Sequence, residues 1–453
     1  MSVNFIFPES SIFNNHPFKT QIIQALAKAL ETVAGDKVVE TSLKIGENNL
    51  MVQNDIFPLD PKGKLVIAAF GKAAVAMLKG AQNTLDQRID RSLVVTKKKT
   101  ECLLPNTKIV YGDHPVPGQN SLFASRQLET FIRSLSPADT LVCLISGGTS
   151  SLLSYPRPPI TLNHLQRTTR LLLQCGASIQ EINCIRKHLE RFKGGGLVSY
   201  AHTARVISLI LSDVIGDDPA TIASGMTSPD PTTFAEAIQI IQHYHIEKKI
   251  PPRVLQYLQD GNAGKVPETP KPEDPQFMNV KNYLIGTNSQ ACQAASNTLQ
   301  QMGISTLHLT SYLQGEACQV GKVFAALTRQ LSKASPFTKP ICWIAGGETT
   351  VTVHGTGIGG RNLELALGAV KDLAGIPNSL LITLASDGED GLSPSAGALV
   401  DGTTWQRALE LGLNPDSFLA NNDSYNFFHT LGDVFYTSPT ETNVNDLVFL
   451  FVY

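Results

Sequence analysis

The chain predicts an α/β protein of two α/β domains with mostly parallel sheets, a Rossmann-like first domain and a smaller second one. Three observations predict it. Short apolar runs of strand length alternate with helical patterns, which is the signature of parallel α/β layers. Glycines and charged residues gather at the carboxyl ends of those runs. A proline-rich stretch separates one such series from another.

The first element is helical: KTQIIQALAKALETVAG sets Ile22, Ile23, Leu26, Leu30 and Val33 on one face. Strand-like runs follow at 64–71 (KLVIAAFG), 92–98 (SLVVTKK), 107–114 (TKIVYGDH), 140–148 (TLVCLISGG) and 205–213 (RVISLILSD), with helical patterns such as KAAVAMLKGA and SRQLETFIRSL between them. KVPETPKPEDPQ carries prolines at 267, 270, 272 and 275, cannot hold a helix, and reads as an exposed linker. A second series follows, from NYLIGTN through STLHLTS, ICWIAGGE and LLITLASD to LVFLFVY. A cut near residue 270 gives domains 1–270 and 271–453, and two such domains leave a cleft for a ligand.

Bulk composition narrows the function. Of 453 residues, 42% are hydrophobic and 17% charged, with a net charge of −2, so no basic excess points to nucleic acid. The seven cysteines form no C-x-x-C pair and sit mostly in apolar runs, as buried thiols in a reducing compartment do. The start lacks a secretory pattern, and no apolar run reaches the roughly 18 residues of a membrane span. The expectation is a cytoplasmic protein with no nucleic-acid or membrane partner. Gly80 to Leu104, with KKK at 97–99, reads as a solvated edge.

The strand ends carry the chemistry, since ligands of open α/β sheets bind there. AAFG is followed by Lys72, LIS by Ser146, Gly147, Gly148, Thr149 and Ser150, and LILS by Asp213. In the second series Gly346 and Gly347 lead to Glu348, and LAS leads to Asp387. SGGTSSLL has the form of a phosphate cradle, or else of a plain strand-to-helix turn. Lys72 is placed as a phosphate-neutralising lysine or as a solvated one, and neither motif is a Walker loop. Asp213, Asp217, Asp218, Glu348, Asp387 and Asp390 are hard oxygen ligands suited to Mg²⁺ beside phosphate; the GDDP acids also make a good helix cap. Of these, Asp213 and Asp218 are expected to hold the metal. IRKHLERFKGGG clusters Arg186, Lys187, Arg191 and Lys193, either for an anionic substrate or as a solvated helix face.

GTGIGGRN at 355–362 fits G-x-G-x-x-G, the dinucleotide pattern. The preceding TTVTVHG alternates like a half-exposed or antiparallel strand, Asp387 lies 27 residues past Gly360, and Arg361 follows the last glycine. These features fit a dinucleotide clamp poorly. They fit phosphoryl transfer better, because a guanidinium on a rigid turn grips phosphate or carboxylate in bidentate fashion.

Together AAFGKAA, NCIRKHLERFKGGGL, SDVIGDDPATIASG, AGGETTVTVHGTGIGGRNLELAL, SDGEDG, NDSYNFFHTLGD and TNVNDL resemble the glycerate 2-kinase family, whose carboxyl-terminal module is called MOFRL and whose members are sometimes labelled hydroxypyruvate reductase. The resemblance runs from about residue 60 to the end. It implies a smaller MOFRL-type second domain, a site in the cleft, and Mg²⁺-dependent transfer of the ATP γ-phosphoryl group to the 2-hydroxyl of D-glycerate. It implies Lys72 and Arg361 as catalytic residues that, with Arg186, also touch the substrate. The nucleotide or phosphate contacts expected beside them are Ser146, Gly147, Gly148, Ser150, Gly346, Gly347, Glu348, Asp387 and Asn422. A homodimer is allowed. The chain departs from the family pattern at Thr149, Ser438 and Glu441, where a side chain in a glycine place obstructs close approach or φ > 0, at Met226, where SGPT becomes SGMT, and at Ser395, which replaces an acid. Two alternatives remain open: a catalytically altered member that binds a small hydroxy acid or nucleotide, and an NAD(P)H-dependent hydroxypyruvate reductase.

Overall fold

The strand Leu65–Phe70 has no polar residue and is buried along its whole length, which requires a sheet covered on both faces. It lies inside a six-stranded sheet of the computed structural model, which describes residues 3–97, 106–201, 204–335 and 338–453. The order across that sheet is Val280–Gly286, Arg205–Leu211, Thr140–Ile145, Leu65–Phe70, Ile89–Thr96 and Thr107–Tyr111. The last five strands pair in parallel. The chain moves outward from Leu65–Phe70 to Thr107–Tyr111, then returns to Thr140–Ile145 on the opposite flank. Loops leaving Leu65–Phe70 and Thr140–Ile145 therefore diverge, and a crevice opens at the carboxyl ends of these two strands. Lys72 and the SGGT turn follow those same two strands.

This sheet belongs to a unit of residues 35–285. Phe70, Val95, Cys143, Ile210 and Met226 are among its buried core. A second core joins Leu165, Leu172, Ile185, Leu189, Phe234, Ile241 and Leu258 from four helices, Leu162–Gln174, Ile179–Leu189, Phe234–His243 and Pro252–Asn262.

The other unit joins the stretch ending at Ala34 to Gly286–Tyr453. Its seven strands run in the order Phe5–Ile6, Val434–Thr437, Gly397–Asp401, Ser379–Ala385, Asp446–Val452, Ile341–Gly347 and Ser305–Leu313. The α/β class holds here too, but pairing direction differs from that of the first sheet. Only Ser305–Leu313 with Ile341–Gly347 is parallel; Asp446–Val452 is inserted antiparallel between Ile341–Gly347 and Ser379–Ala385. The helix Arg361–Leu373 packs across this sheet, burying Leu363, Leu365, Leu367, Val370 and Leu373.

Three sequence expectations change. First, the cut near 270 moves to Ile285/Gly286, and the first 34 residues join the second unit. The helix Lys19–Thr32 buries Ile22, Ala25, Leu26, Ala29 and Leu30 and packs on Asn288–Gln301. Second, the proline-rich stretch is a strap, because buried charges of the larger unit need its partners. Glu268 accepts from His188 Nε2 at 2.8 Å, Asp230 N–H donates to Pro270 O at 2.8 Å, and Thr269 Oγ1 donates to Asp230 at 2.9 Å. Third, TTVTVHG forms no strand beyond an isolated bridge of Thr350 with Glu316. Thr352 instead bonds the Glu316 carboxylate through N–H and hydroxyl, each at 3.0 Å. Residues 98–105, with most of the KKK run and Cys102, lie outside the described residues. Among the described residues, no helix is long and apolar enough to cross a membrane.

Candidate active site

At the crevice of the parallel sheet the two strand-end loops are tied to each other. Lys72 N–H donates to Gly147 O at 2.9 Å, Ala73 N–H to Ser146 Oγ at 3.1 Å, and Ser146 N–H to Phe70 O at 3.0 Å. Gly148 lies in the left-handed region at φ +83°, and a Cβ there would sit 3.2 Å from His114 Nε2 and 3.4 Å from Lys72 Cγ. A Cβ on Gly147 would sit 2.0 Å from Asp213 Oδ2. Both glycines are therefore needed, one for its backbone angle and both for the closeness of functional side chains. Lys72, Ser146, Gly147, Gly148 and Asp213 converge as expected. His114 joins them, and sequence reading passed over it; its signal was its position just beyond the strand Thr107–Tyr111.

The charged run behind the turn is a buried scaffold, and a solvated helix face is ruled out. Arg186 donates to Ser150 O at 2.8 Å and lies 3.5 Å from Glu190. Lys193 donates to Ser150 O at 3.1 Å and Leu153 O at 3.2 Å, and pairs with Glu190 at 3.0 Å. Burial carries its ammonium down to about 8 against the pull of Glu190. Arg186 thus supports the turn from behind, a role different from the substrate contact expected of it. Ser150 Oγ bonds Ser224 Oγ at 2.8 Å, and Ser224 in turn donates to Asn183 at 2.9 Å. Ala223 and Ser224 are successive left-handed residues, at φ 53° and 55°, a conformation costing roughly 1–3 kcal/mol each and kept where the surroundings enforce it.

Asp218 differs from expectation. Its carboxylate accepts from Ala220 N–H at 3.0 Å and Thr221 Oγ1 at 2.7 Å, closing its own turn. Among the described residues, no three His, Cys, Asp or Glu side chains are grouped to hold a metal. Asp213 follows the strand Arg205–Leu211 and lies against Gly147.

In the second unit the charges are locked together. Arg361 opens its helix and donates through Nε and Nη2 to the carboxylate of Asp446, and Nη1 lies 2.8 Å from Glu348. Asn362 Nδ2 donates to Asp446 at 2.8 Å. Asp390 caps the helix, accepting from Asn362 N–H at 3.1 Å and Leu363 N–H at 2.9 Å. Burial raises the Asp446 carboxyl despite Arg361, with the Asp387 charge adding to the rise. Burial and Asp446 push Asp390 up to about 6. On Arg361 the three carboxylates outweigh burial and raise the guanidinium. Glu348, Arg361 and Asp387 are thus brought together, with Asp446 and Asn362 added. The antiparallel insertion explains this: Asp446 pairs with Gly347 on one side and Ala385 on the other, so the start of one strand meets the ends of two.

Gly346 and Gly347 serve packing. A Cβ on Gly346 would sit 1.7 Å from Asn288 Oδ1, and one on Gly347 2.2 Å from Leu313 O. Asn422 holds the glycine loop: Oδ1 accepts from His354 N–H at 2.7 Å and Gly355 N–H at 2.9 Å, and Nδ2 donates to Glu364 at 2.9 Å. The loop lies flat on residues 421–424, where Cβ atoms on Gly355, Gly357 and Gly359 would come within 2.2, 2.3 and 2.3 Å of neighbouring atoms. Of the G-x-G-x-x-G glycines, Gly355 and Gly357 are thus spent on this internal contact, and a Cβ on the third, Gly360, would sit 2.4 Å from Asp390 Cγ.

The departures from the family pattern are accommodated. Thr149 Oγ1 donates to Ser146 O at 2.7 Å, Met226 is core, Ser395 bonds Ser393, and Ser438 Oγ accepts from Asn4 N–H at 3.1 Å. Glu441 alone carries strain, at φ 53°.

An α/β protein with a lysine at a sheet switch point and a caged arginine on a helix start is built to hold anions. The family descriptions that match are a domain of unknown function, DUF4147, over residues 21–259 and MOFRL over 341–446. The Glycerate 2-kinase of Pyrococcus horikoshii is 35% identical over 432 residues, covering 95% of this chain and 96% of that protein. The D-glycerate 2-kinase of Thermotoga maritima is 36% identical over 441 residues, covering 96% and 99%. A crystal structure of glycerate kinase from Thermotoga maritima superposes with a TM-score of 0.83 at 35% identity, over 96% of this chain and 99% of that one. The chain belongs to the glycerate kinase family.

Proposed function

We propose that this enzyme transfers the γ-phosphoryl group of ATP to the 2-hydroxyl of D-glycerate, forming 2-phosphoglycerate and ADP. Family membership over nearly the whole chain, with Lys72 and Arg361 in place, carries this reading. The hydroxyl oxygen bonds to phosphorus as the bond to ADP breaks, and little covalent chemistry is asked of the protein. Lys72, beside the backbone of Gly147 and Gly148, neutralises charge on the transferred group. Arg361 is held rigid by Asp446 and Glu348, which pre-orients its remaining N–H groups for a carboxylate or phosphate. Asp213 would hold Mg²⁺, which when bound neutralises phosphate charge.

The test is ADP release from purified protein with ATP, Mg²⁺ and D-glycerate, with phosphorus NMR to assign the product. Turnover giving 2-phosphoglycerate, lost in Lys72→Ala and Arg361→Ala, is expected. Exclusive 3-phosphoglycerate would overturn the regiochemistry, and no turnover from folded protein would overturn the kinase reading.

A further inference from the structure

The niche above Gly148 has one wall that the reading above leaves unused. The point where a Gly148 side chain would begin is 3.1 Å from His114 Cδ2, 3.2 Å from His114 Nε2 and 3.4 Å from Lys72 Cγ. The imidazole edge and the lysine stem therefore face one small space, kept open because residue 148 has no side chain. Among the described residues no hydrogen bond engages either ring nitrogen of His114, unlike those of His188, which bond Cys184 O and Glu268.

The ring is held by its neighbours in the chain. Asp113 caps the helix Gln119–Arg133, accepting from Asn120 N–H at 2.9 Å and Ser121 N–H at 3.3 Å. Gln166 donates to Pro117 O at 2.7 Å. On the other side, Gly112 lies under Leu152, where a Cβ would meet its carbonyl oxygen at 2.4 Å. His114 is thus pinned from both sides while its Cδ2–Nε2 edge faces the niche.

We propose that His114 contacts the acceptor hydroxy acid through Nε2 and fixes that acid beside Lys72. The inference rests on the kinase reading and deepens it by naming a specificity residue. Burial, with Lys72 and Lys97 adding to it, holds the imidazole down at about 4, so the ring is neutral near pH 7. On a neutral imidazole Nε2 donates or accepts according to the tautomer, and a hydroxy acid suits either, with a hydroxyl to donate and oxygens to accept. A phosphate offers only acceptors there and is better matched by Lys72.

Steady-state kinetics of His114→Ala and His114→Gln, with each substrate varied in turn, test this. Gln places an amide near the position of Nε2. His114→Ala should raise KM for D-glycerate by about tenfold or more, leave KM for ATP within about twofold, and be substantially rescued by His114→Gln. An unchanged KM for D-glycerate, or a parallel loss in both KM values and kcat without rescue by Gln, would overturn the inference while the kinase reading stands. If the wild type shows no turnover, the kinase reading fails by itself. Calorimetric titration of D-glycerate then decides: weaker binding to His114→Ala than to wild type supports the contact, and equal or absent binding in both overturns it.

Discussion

Lys72 and Arg361 both stand where a strand gives way to a helix, yet their surroundings are opposite in kind. Lys72 sits among main-chain groups, two glycines and an imidazole, at the switch point of a parallel sheet. Arg361 sits in a carboxylate cage of Glu348 and Asp446, with Asp390 beneath, at the junction of parallel and antiparallel strands. The glycines differ in the same way. Gly148 answers a left-handed backbone angle, whereas Gly355, Gly357 and Gly359 answer only the closeness of residues 421–424. The cation in the second setting is part of what holds its unit together.

The largest expected effect separates these roles. Arg361→Ala leaves Asp446 buried without its partner, which costs about 3–5 kcal/mol of stability as well as turnover. Adding Asp446→Asn should recover much of the stability, read by urea unfolding, and none of the turnover. Lys72→Ala should abolish turnover as well, read in the same ADP-release assay.

The next effect is a pH dependence confined to the caged side. The Asp390 carboxyl stands at about 6, above its ordinary 3.8. Its contribution is therefore fully present below about 3.8 and is lost as pH rises through about 6. The span corresponds to about 3 kcal/mol. Asp433, pushed up to about 6 by burial against the pull of Arg407, adds a fall of the same sign. Glu268 in the larger unit runs the other way: burial would raise it, but bonds from His188, Thr269 and Phe234 carry it down to about 2. Its contribution is present above the ordinary 4.5 and is lost as pH falls toward 2. Unfolding midpoints of Asp390→Asn should show a flatter decline from pH 4 to 6, and those of Glu268→Gln a flatter acid limb.

Smaller effects sharpen the difference between the glycines. Gly357→Ala puts a Cβ 2.3 Å from that of Asp423 and should cost about 1–3 kcal/mol by overpacking. Gly148→Ala should cost about 1–2 kcal/mol for its backbone angle and in addition raise KM for D-glycerate. Least of all, Glu441→Gly relieves a left-handed glutamate and should stabilise by about 0.5–1 kcal/mol in the same assay.

Local signals made much of this legible. Apolar runs of five to nine residues located the principal strands, and the residues just past them located Lys72, Asp213, Glu348 and Asp387. Partnership between distant segments was not legible. Asp446 becomes a site residue only because its strand enters the sheet between two others. Arg186 and Lys193 read as substrate-facing or solvent-facing until the Ser150 carbonyl is found beside them. The prolines of 265–276 signalled a break in helix correctly, but nothing local announced that His188 and Asp230 would hold them down.

The place of residues 446–452 near the middle of their sheet also dictates an order of events during synthesis. Residues 35–285 contain every strand of the parallel sheet but the last residue of its edge, so this unit has nearly all it needs once that stretch leaves the ribosome. The helix Lys19–Thr32, made earlier, must wait for Asn288–Gln301. The strands Ile341–Gly347 and Ser379–Ala385 must wait for the segment that joins them, and until then each presents an open backbone edge able to pair with another chain. The most vulnerable interval for this protein is the one between the synthesis of Ser379–Ala385 and that of Asp446–Val452.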